Sequence, residues 1–180
     1  MSVLKISSRY AKSLITLAVE QNVLDAVYQD MVGFREIAGM REFALFIKSP
    51  VIKSAKKIKI LELIFDGKVH PLTMAFLRIM TGKGREEYLV EISDQFVRQY
   101  KELKGISTVQ VTSAKALTSE HKEAIRKALS GHERIHEHIE IEEKTDASLI
   151  GGLIIQMEDQ KYDASISGKL HQMRKSLSKS

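Results

Sequence analysis

From Ile6 to Leu103 apolar residues return every three or four positions, beginning with Ile6, Tyr10, Leu14 and Leu17, then Val27, Met31, Phe34 and Ala38. A stripe with that step lies along one side of a 3.6-residue helix, so this part of the chain predicts amphipathic helices and no strand. Gly39, Ser49-Pro50, Asp66-Gly67 with Pro71 soon after, and Gly82-Lys83-Gly84 interrupt the stripe, because glycine and proline end helices readily. About six helices result, the last running from about Arg85 to Lys104 with Leu89, Ile92, Phe96, Tyr100 and Leu103 on one side. Short connections between such helices imply an antiparallel bundle.

After Gly105 the pattern changes to β-branched residues, Ile106, Thr108, Val109, Val111 and Thr112, which suit a strand. Thr118, able to cap, then precedes a helix carrying Ile125 and Leu129 and ending at Gly131. From about Arg134 to Glu142 the chain alternates, Ile135, Ile139 and Ile141 inward against His136, His138 and Glu140 outward, and a further strand is expected from Leu149 to Met157. A closing helix from about Ser165 to Leu177 would bury Ile166, Leu170, Met173 and Leu177. The fold class expected is α+β: a helical bundle over residues 1–105 and a small α/β domain over residues 106–180.

Composition narrows the chemistry. With 43% hydrophobic residues among 180, the chain can bury a core. No apolar run reaches the roughly eighteen residues of a spanning helix, and the first residues lack a secretory signal, so a soluble protein is expected. There is no cysteine, which excludes thiolate metal sites, disulfides and cysteine nucleophiles. Residues 1–105 carry 17 Lys and Arg against 12 Asp and Glu, whereas residues 106–180 carry 11 against 11. The basic excess therefore belongs to the helical part, and suits nucleic acid, an anionic membrane face or an acidic protein partner alike.

Five motifs invite a chemical reading. Gly168-Lys169 is no phosphate loop, since G-x-x-x-x-G-K-[ST] needs glycine where Asp163 stands and a hydroxyl where Leu170 stands. Gly151-Gly152 adjoins a strand-like run, where close backbone approach or a bulge is the expected reason for glycine. His132-Glu133-Arg134-Ile135-His136 matches H-E-x-x-H, which binds zinc when a helix brings both histidines to one face. Here the segment follows a helix end and enters a strand, on which the histidines stand about 13 Å apart, too far for one ion. His136 and His138, neighbours on one strand face, can still hold a metal adventitiously. Lys53, Lys56, Lys57 and Lys59 suit either a phosphate-binding patch or the polar side of a helix whose apolar side is Ile58, Leu61, Ile64 and Phe65. No aromatic interleaves them to stack on bases. Asp159 and Asp163 read as turn residues before they read as an acid/base pair. No catalytic, cofactor or metal site is expected, and a basic helical nucleic-acid-binding protein is the alternative function.

Both ends of the chain carry a family resemblance. Arg9-Tyr10-Ala11-Lys12, opening a helix that continues to Ala18-Val19-Glu20, resembles the start of the delta subunit of bacterial F-type ATP synthase, the relative of mitochondrial oligomycin-sensitivity-conferring protein. The run from Ile139 through Asp146, Leu149-Ile150-Gly151-Gly152, Asp163-Ala164-Ser165 and Gly168-Lys169-Leu170 is similar to the family's C-terminal signature, with Ala164 where glycine is common. The resemblance implies a noncatalytic stator subunit without cofactor, which joins the catalytic head to the peripheral stalk on the cytoplasmic face of the bacterial membrane. It implies a groove between the first and fifth helices that takes the N-terminal helix of an alpha subunit, with Tyr10, Ser13, Phe76 and Ile79 at groove positions that would equally suit a bundle core. It implies that the C-terminal domain, with Gly151, Gly152, Asp163, Ser165 and Gly168 in its signature, meets the C-terminal region of the b subunits. No nucleic acid is expected among the partners.

Overall fold

The computed structural model describes residues 3–129, 138–157 and 160–177. Six helices come first: α1 (Val3–Glu20), α2 (Leu24–Ala38), α3 (Arg41–Lys48), α4 (Ser54–Phe65), α5 (Pro71–Gly82) and α6 (Leu89–Leu103). On α1 the small side chains of Ser7, Ala11 and Ala18 are fully buried, and Leu14 and Ile15 are buried on the same side. α1 ends at Asn22, whose φ of 55° is left-handed. Asparagine adopts that geometry more readily than other side chains except glycine. This break carries neither glycine nor proline and is absent from the breaks read in the sequence.

α5 begins on a cap assembled from two helices. Pro71 occupies its first turn, and His70 Nδ1 accepts from the Leu72 amide at 3.2 Å. From α2, Asp30 Oδ2 accepts from the His70 amide at 2.8 Å and from the Thr73 hydroxyl at 2.6 Å. Three phenyl rings join α2, α3 and α4: Phe34 stands 5.7 Å from both Phe43 and Phe65. On α6, Leu89, Ile92, Phe96 and Tyr100 are buried as the stripe predicts, whereas Leu103 is exposed. The Tyr100 ring stacks on Tyr28 at 3.8 Å, and its hydroxyl donates to Asp25 Oδ1 at 2.8 Å. Burial, then the bond to the Asp25 carboxylate, pushes the Tyr100 hydroxyl up to about 12.

The chain divides into two compact units, Met1–Lys101 and Glu102–Ser180. The second contains β1 (Ile106–Ser113), α7 (Ser119–Leu129), β2 (His138–Thr145), β3 (Leu153–Met157), β4 (Gln160–Asp163) and α8 (Ile166–Leu177). The sheet order is β2-β1-β3-β4, with β1 parallel to β2 and the other two pairings antiparallel. Parallel neighbours need a crossover, and α7 lies within it. Thr118 Oγ1 accepts from the His121 amide at 3.3 Å, so the expected cap forms. Val109 and Val111, Ile125 and Leu129 make the core, with Ile139, Ile141, Leu153, Ile155 and Met157 packed against it.

Two sequence expectations are corrected. Leu149 is not the start of a strand: it closes a short 3-10 turn, Ala147–Leu149, and Gly151-Gly152 belong to the turn before β3. The stripe expected to be buried on α8 is instead open, with Ile166 46%, Leu170 53% and Met173 62% exposed. Periodicity locates an apolar stripe on a helix, but it does not supply the surface that covers it. The expected strand residues 134–137 lie outside the described residues.

Candidate functional site

The C-terminal signature residues converge on the start of α8. Asp163 Oδ1 accepts from the Ser165 amide at 2.9 Å and from the Ser165 hydroxyl at 2.6 Å. Ser165 Oγ in turn accepts from the Gly168 amide at 3.0 Å, which is the bond of a helix N-cap. Gly168 is glycine for space: a Cβ there would stand 2.8 Å from both Asp163 carboxylate oxygens. The helix start that a phosphate would need is thus occupied by the chain's own carboxylate. The Ser165 hydroxyl, followed by its amide, holds the Asp163 carboxyl below the usual aspartate range.

The turn before β3 locks onto the same helix start. Gly151 O accepts from the Ile166 amide and Leu153 O from the Ala164 amide, both at 3.0 Å. Gly152 has φ +76°, and a Cβ on it would meet Ala164 O at 2.4 Å, so close backbone approach accounts for this glycine. One turn earlier, Asp146 Oδ1 accepts from the Ser148 amide at 2.9 Å, and the Ser148 hydroxyl, followed by that amide, lowers the Asp146 carboxyl. Among described residues other than glycine, only Asn22 and Ile150 have positive φ. Ala164 therefore carries no left-handed strain. The strain falls on Ile150, a β-branched residue at φ 65°, ψ −41° with 66% of its surface exposed.

In the first unit, Ser13 is exposed and Tyr10 and Phe76 are half-buried. Ile79 is 54% exposed, while Leu77 and Met80 on either side of it are buried, so the bundle core does not contain Ile79. Arg85, three residues beyond α5, places its guanidinium 5.5 Å from the centre of the Tyr10 ring on α1. That distance is a cation–π contact joining the chain after α5 to α1.

The lysine patch loses a member. Lys57 is 3% exposed, and its Nζ donates to Ile47 O and to Glu86 Oε1, each at 2.7 Å. It secures the C-terminal carbonyl of α3 and pairs with the 3-10 turn before α6, so it cannot serve a phosphate backbone. Sequence reading placed Lys57 with its exposed neighbours, yet stepping back by four from Leu61 and Phe65 lands on it. The His132–His136 segment and Asp159 lie outside the described residues, and His138 is exposed. Among the described residues no group of three or more His, Asp or Glu is placed to hold a metal. Among them, too, no helix is long and apolar enough to cross a membrane.

These features define a two-unit α+β protein in which the C-terminal polar cluster braces the backbone at a helix start. The chain matches the sequence profile of the ATP synthase delta (OSCP) subunit family over residues 6–177. It is 36% identical to the ATP synthase subunit delta of Cytophaga hutchinsonii over 171 residues, covering 94% of this chain and 92% of that one. Against the subunit delta of Chlorobaculum tepidum it is 36% identical over 172 residues, covering 95% and 94%. Its fold superposes with a TM-score of 0.73 on a chain of the Toxoplasma gondii mitochondrial ATP synthase hexamer, at 24% identity and covering 95% and 96%. The chain belongs to the ATP synthase delta (OSCP) subunit family, and is a noncatalytic subunit of an F-type ATP synthase.

Proposed function

We propose that this subunit is part of the stator, linking the catalytic head to the peripheral stalk so that rotor torque is resisted. In this reading the first unit holds the N-terminal helix of an alpha subunit between α1 and α5, and the second unit meets the C-terminal region of the b subunits. The protein then associates with the cytoplasmic face of a bacterial membrane only through the complex. The observation that carries the reading is Ile79: an apolar side chain standing 54% exposed on α5, with half-buried Phe76 one turn away. An amphipathic helix laid across such a strip buries apolar surface on both partners.

Ile79→Asp tests it. A carboxylate facing the apolar side of a bound helix loses water without gaining a partner, at a cost of several kcal/mol. Each 1.4 kcal/mol is tenfold in affinity, so binding of a peptide from the alpha N-terminus should weaken by about two orders of magnitude or more. Helical circular dichroism and the unfolding transition should be unchanged, because Ile79 is outside the core. A folded variant with unaltered peptide affinity would remove this strip from the stator role.

A further inference from the structure

We infer that Arg85 reads the charge of the helix bound between α1 and α5, taking a carboxylate that stands beside that helix's apolar stripe; this rests on the reading above that the strip holds the N-terminal helix of an alpha subunit. Arg85 is positioned from two sides. α5 ends in a Schellman motif: the amide of Gly84, left-handed at φ 65°, donates to Thr81 O at 3.1 Å, and the Arg85 amide donates to Met80 O at 2.9 Å. These bonds fix the Arg85 backbone against the last turn of α5, the helix that carries Phe76 and Ile79. The next residue, Glu86, is buried and bonded to Lys57 of α4 at 2.7 Å, so the link is held on the bundle. From that start the Arg85 side chain reaches α1, where its guanidinium lies over the Tyr10 ring. Arg85 therefore spans from α5 to α1 at one end of the strip.

Charge indicates what the guanidinium takes. Its N–H donors lie in the plane of the group, and contact with a ring engages none of them in an N–H···O bond. Arg85 is exposed, and among the described residues no carboxylate pairs with it. Of the two acids that follow it, Glu86 is bonded to Lys57 and Glu87 to the Tyr88 hydroxyl. Across α1, α5 and the three residues after α5 stand six cations, Lys5, Arg9, Lys12, Arg78, Lys83 and Arg85, against one acid, Glu20. Among the described residues Arg78 alone of these six has a carboxylate partner, Glu62. An apolar strip with so basic a border complements an amphipathic helix edged by acidic residues. Arginine meets a carboxylate with two parallel N–H···O bonds, and a guanidinium already held on a ring loses less freedom in forming them. An anionic membrane also attracts basic amphipathic surfaces. The protein partner is favoured because a guanidinium fixed at both backbone and tip presents its donors in one direction, which suits a single carboxylate, whereas lipid headgroups are met as well by loosely held lysines.

The test uses the full-length chain and a synthetic peptide of the alpha N-terminus from the same source, with affinity measured by calorimetry. Arg85→Gln should weaken binding about fivefold and Arg85→Glu at least about tenfold, with the unfolding transition left in place. Arg85→Lys keeps the charge without the paired donors and should fall between the native chain and Arg85→Gln. Added salt should weaken native binding and weaken that of Arg85→Gln less. Changing the peptide's acidic residues to lysine one at a time should single out one that restores affinity to Arg85→Glu, an exchange that a purely structural role for Arg85 would not produce. If the folded Arg85 variants bind as well as the native chain while Ile79→Asp binds weakly, Arg85 has no such role and the groove reading stands. If they lose affinity but no exchange restores it and the salt response is unchanged, Arg85 acts only by holding Tyr10 and this inference is wrong. If the native chain does not bind the peptide at all, the groove reading fails and this inference with it. Should Arg85→Glu not fold, Arg85→Gln and its salt response decide alone. Sedimentation with phosphatidylserine vesicles completes the test: native binding to vesicles that Arg85→Gln abolishes, with peptide affinity unchanged, would assign Arg85 to lipid and overturn the proposal.

Discussion

At the residue scale, two glycines with similar backbones separate strain from crowding. Gly67 and Gly152 have φ of 70° and 76°, but a Cβ on Gly67 meets nothing within 4 Å, whereas on Gly152 it meets Ala164 O at 2.4 Å. Gly67→Ala should cost about 1 kcal/mol for the left-handed conformation alone. Gly152→Ala should cost about 3 kcal/mol, since a backbone oxygen can yield only by moving the start of α8. Chemical denaturation of the two variants measures the difference. Ile150→Gly works in the opposite direction: relief of strain exceeds the added freedom of the unfolded chain, for a gain of about 1 kcal/mol. Protonation is read at this scale too. The Asp163, Asp146 and Glu143 carboxyls are all lowered in the fold, Glu143 chiefly by its bond from Lys122. A lowered carboxyl stabilises the fold above its unfolded value, about pH 4, and that contribution is lost as pH falls through the folded value. The unfolding temperature of the second unit should thus drop below about pH 4, and Asp163→Asn should flatten part of that drop.

At the scale of elements, Lys57 and Glu86 hold three of them together. Lys57→Met would leave the largely buried Glu86 carboxylate without its cation, and should cost about 3–5 kcal/mol. Lys57→Met with Glu86→Leu should recover most of that loss, because an apolar pair asks for no solvation. A double variant no more stable than Lys57→Met alone would show that the bond to Ile47 O matters more than the ion pair. The pair was hidden in the sequence for a physical reason: a lysine in a run of lysines has the same local pattern whether it faces water or an acid 29 residues away. The helices themselves were legible because their stripes repeat, and β1 because its β-branched residues begin directly after Gly105. The turn at Asn22 and the 3-10 turn at Ala147–Leu149 were not, since each is stabilised by a few backbone bonds that leave little periodic trace.

At the scale of the molecule, two units with separate cores imply separate folding. Val109, Val111, Ile125 and Leu129 form a core of their own in the second unit, while Phe34, Phe43 and Phe65 anchor the first. A fragment of residues 1–105 should unfold cooperatively by itself and resist limited proteolysis as a band of about a hundred residues. A fragment lacking a cooperative transition would mean that the bundle depends on the C-terminal unit.

Residue order alone was enough for the α+β class, the run of six helices, the β-branched strand after Gly105, and the family, because periodicity, propensity and motif spacing are local along the chain. Four groove residues were named from resemblance, but whether Ile79 was core or surface was not readable, since an isoleucine on a helical stripe looks the same in either place. Packing placed it outside, made the α8 stripe an open surface, buried Lys57 against Glu86, and set a left-handed backbone on the β-branched Ile150. Each of these depends on what lies across from a residue in space, and contact between segments distant in sequence is set by the balance of the whole core rather than by any local pattern.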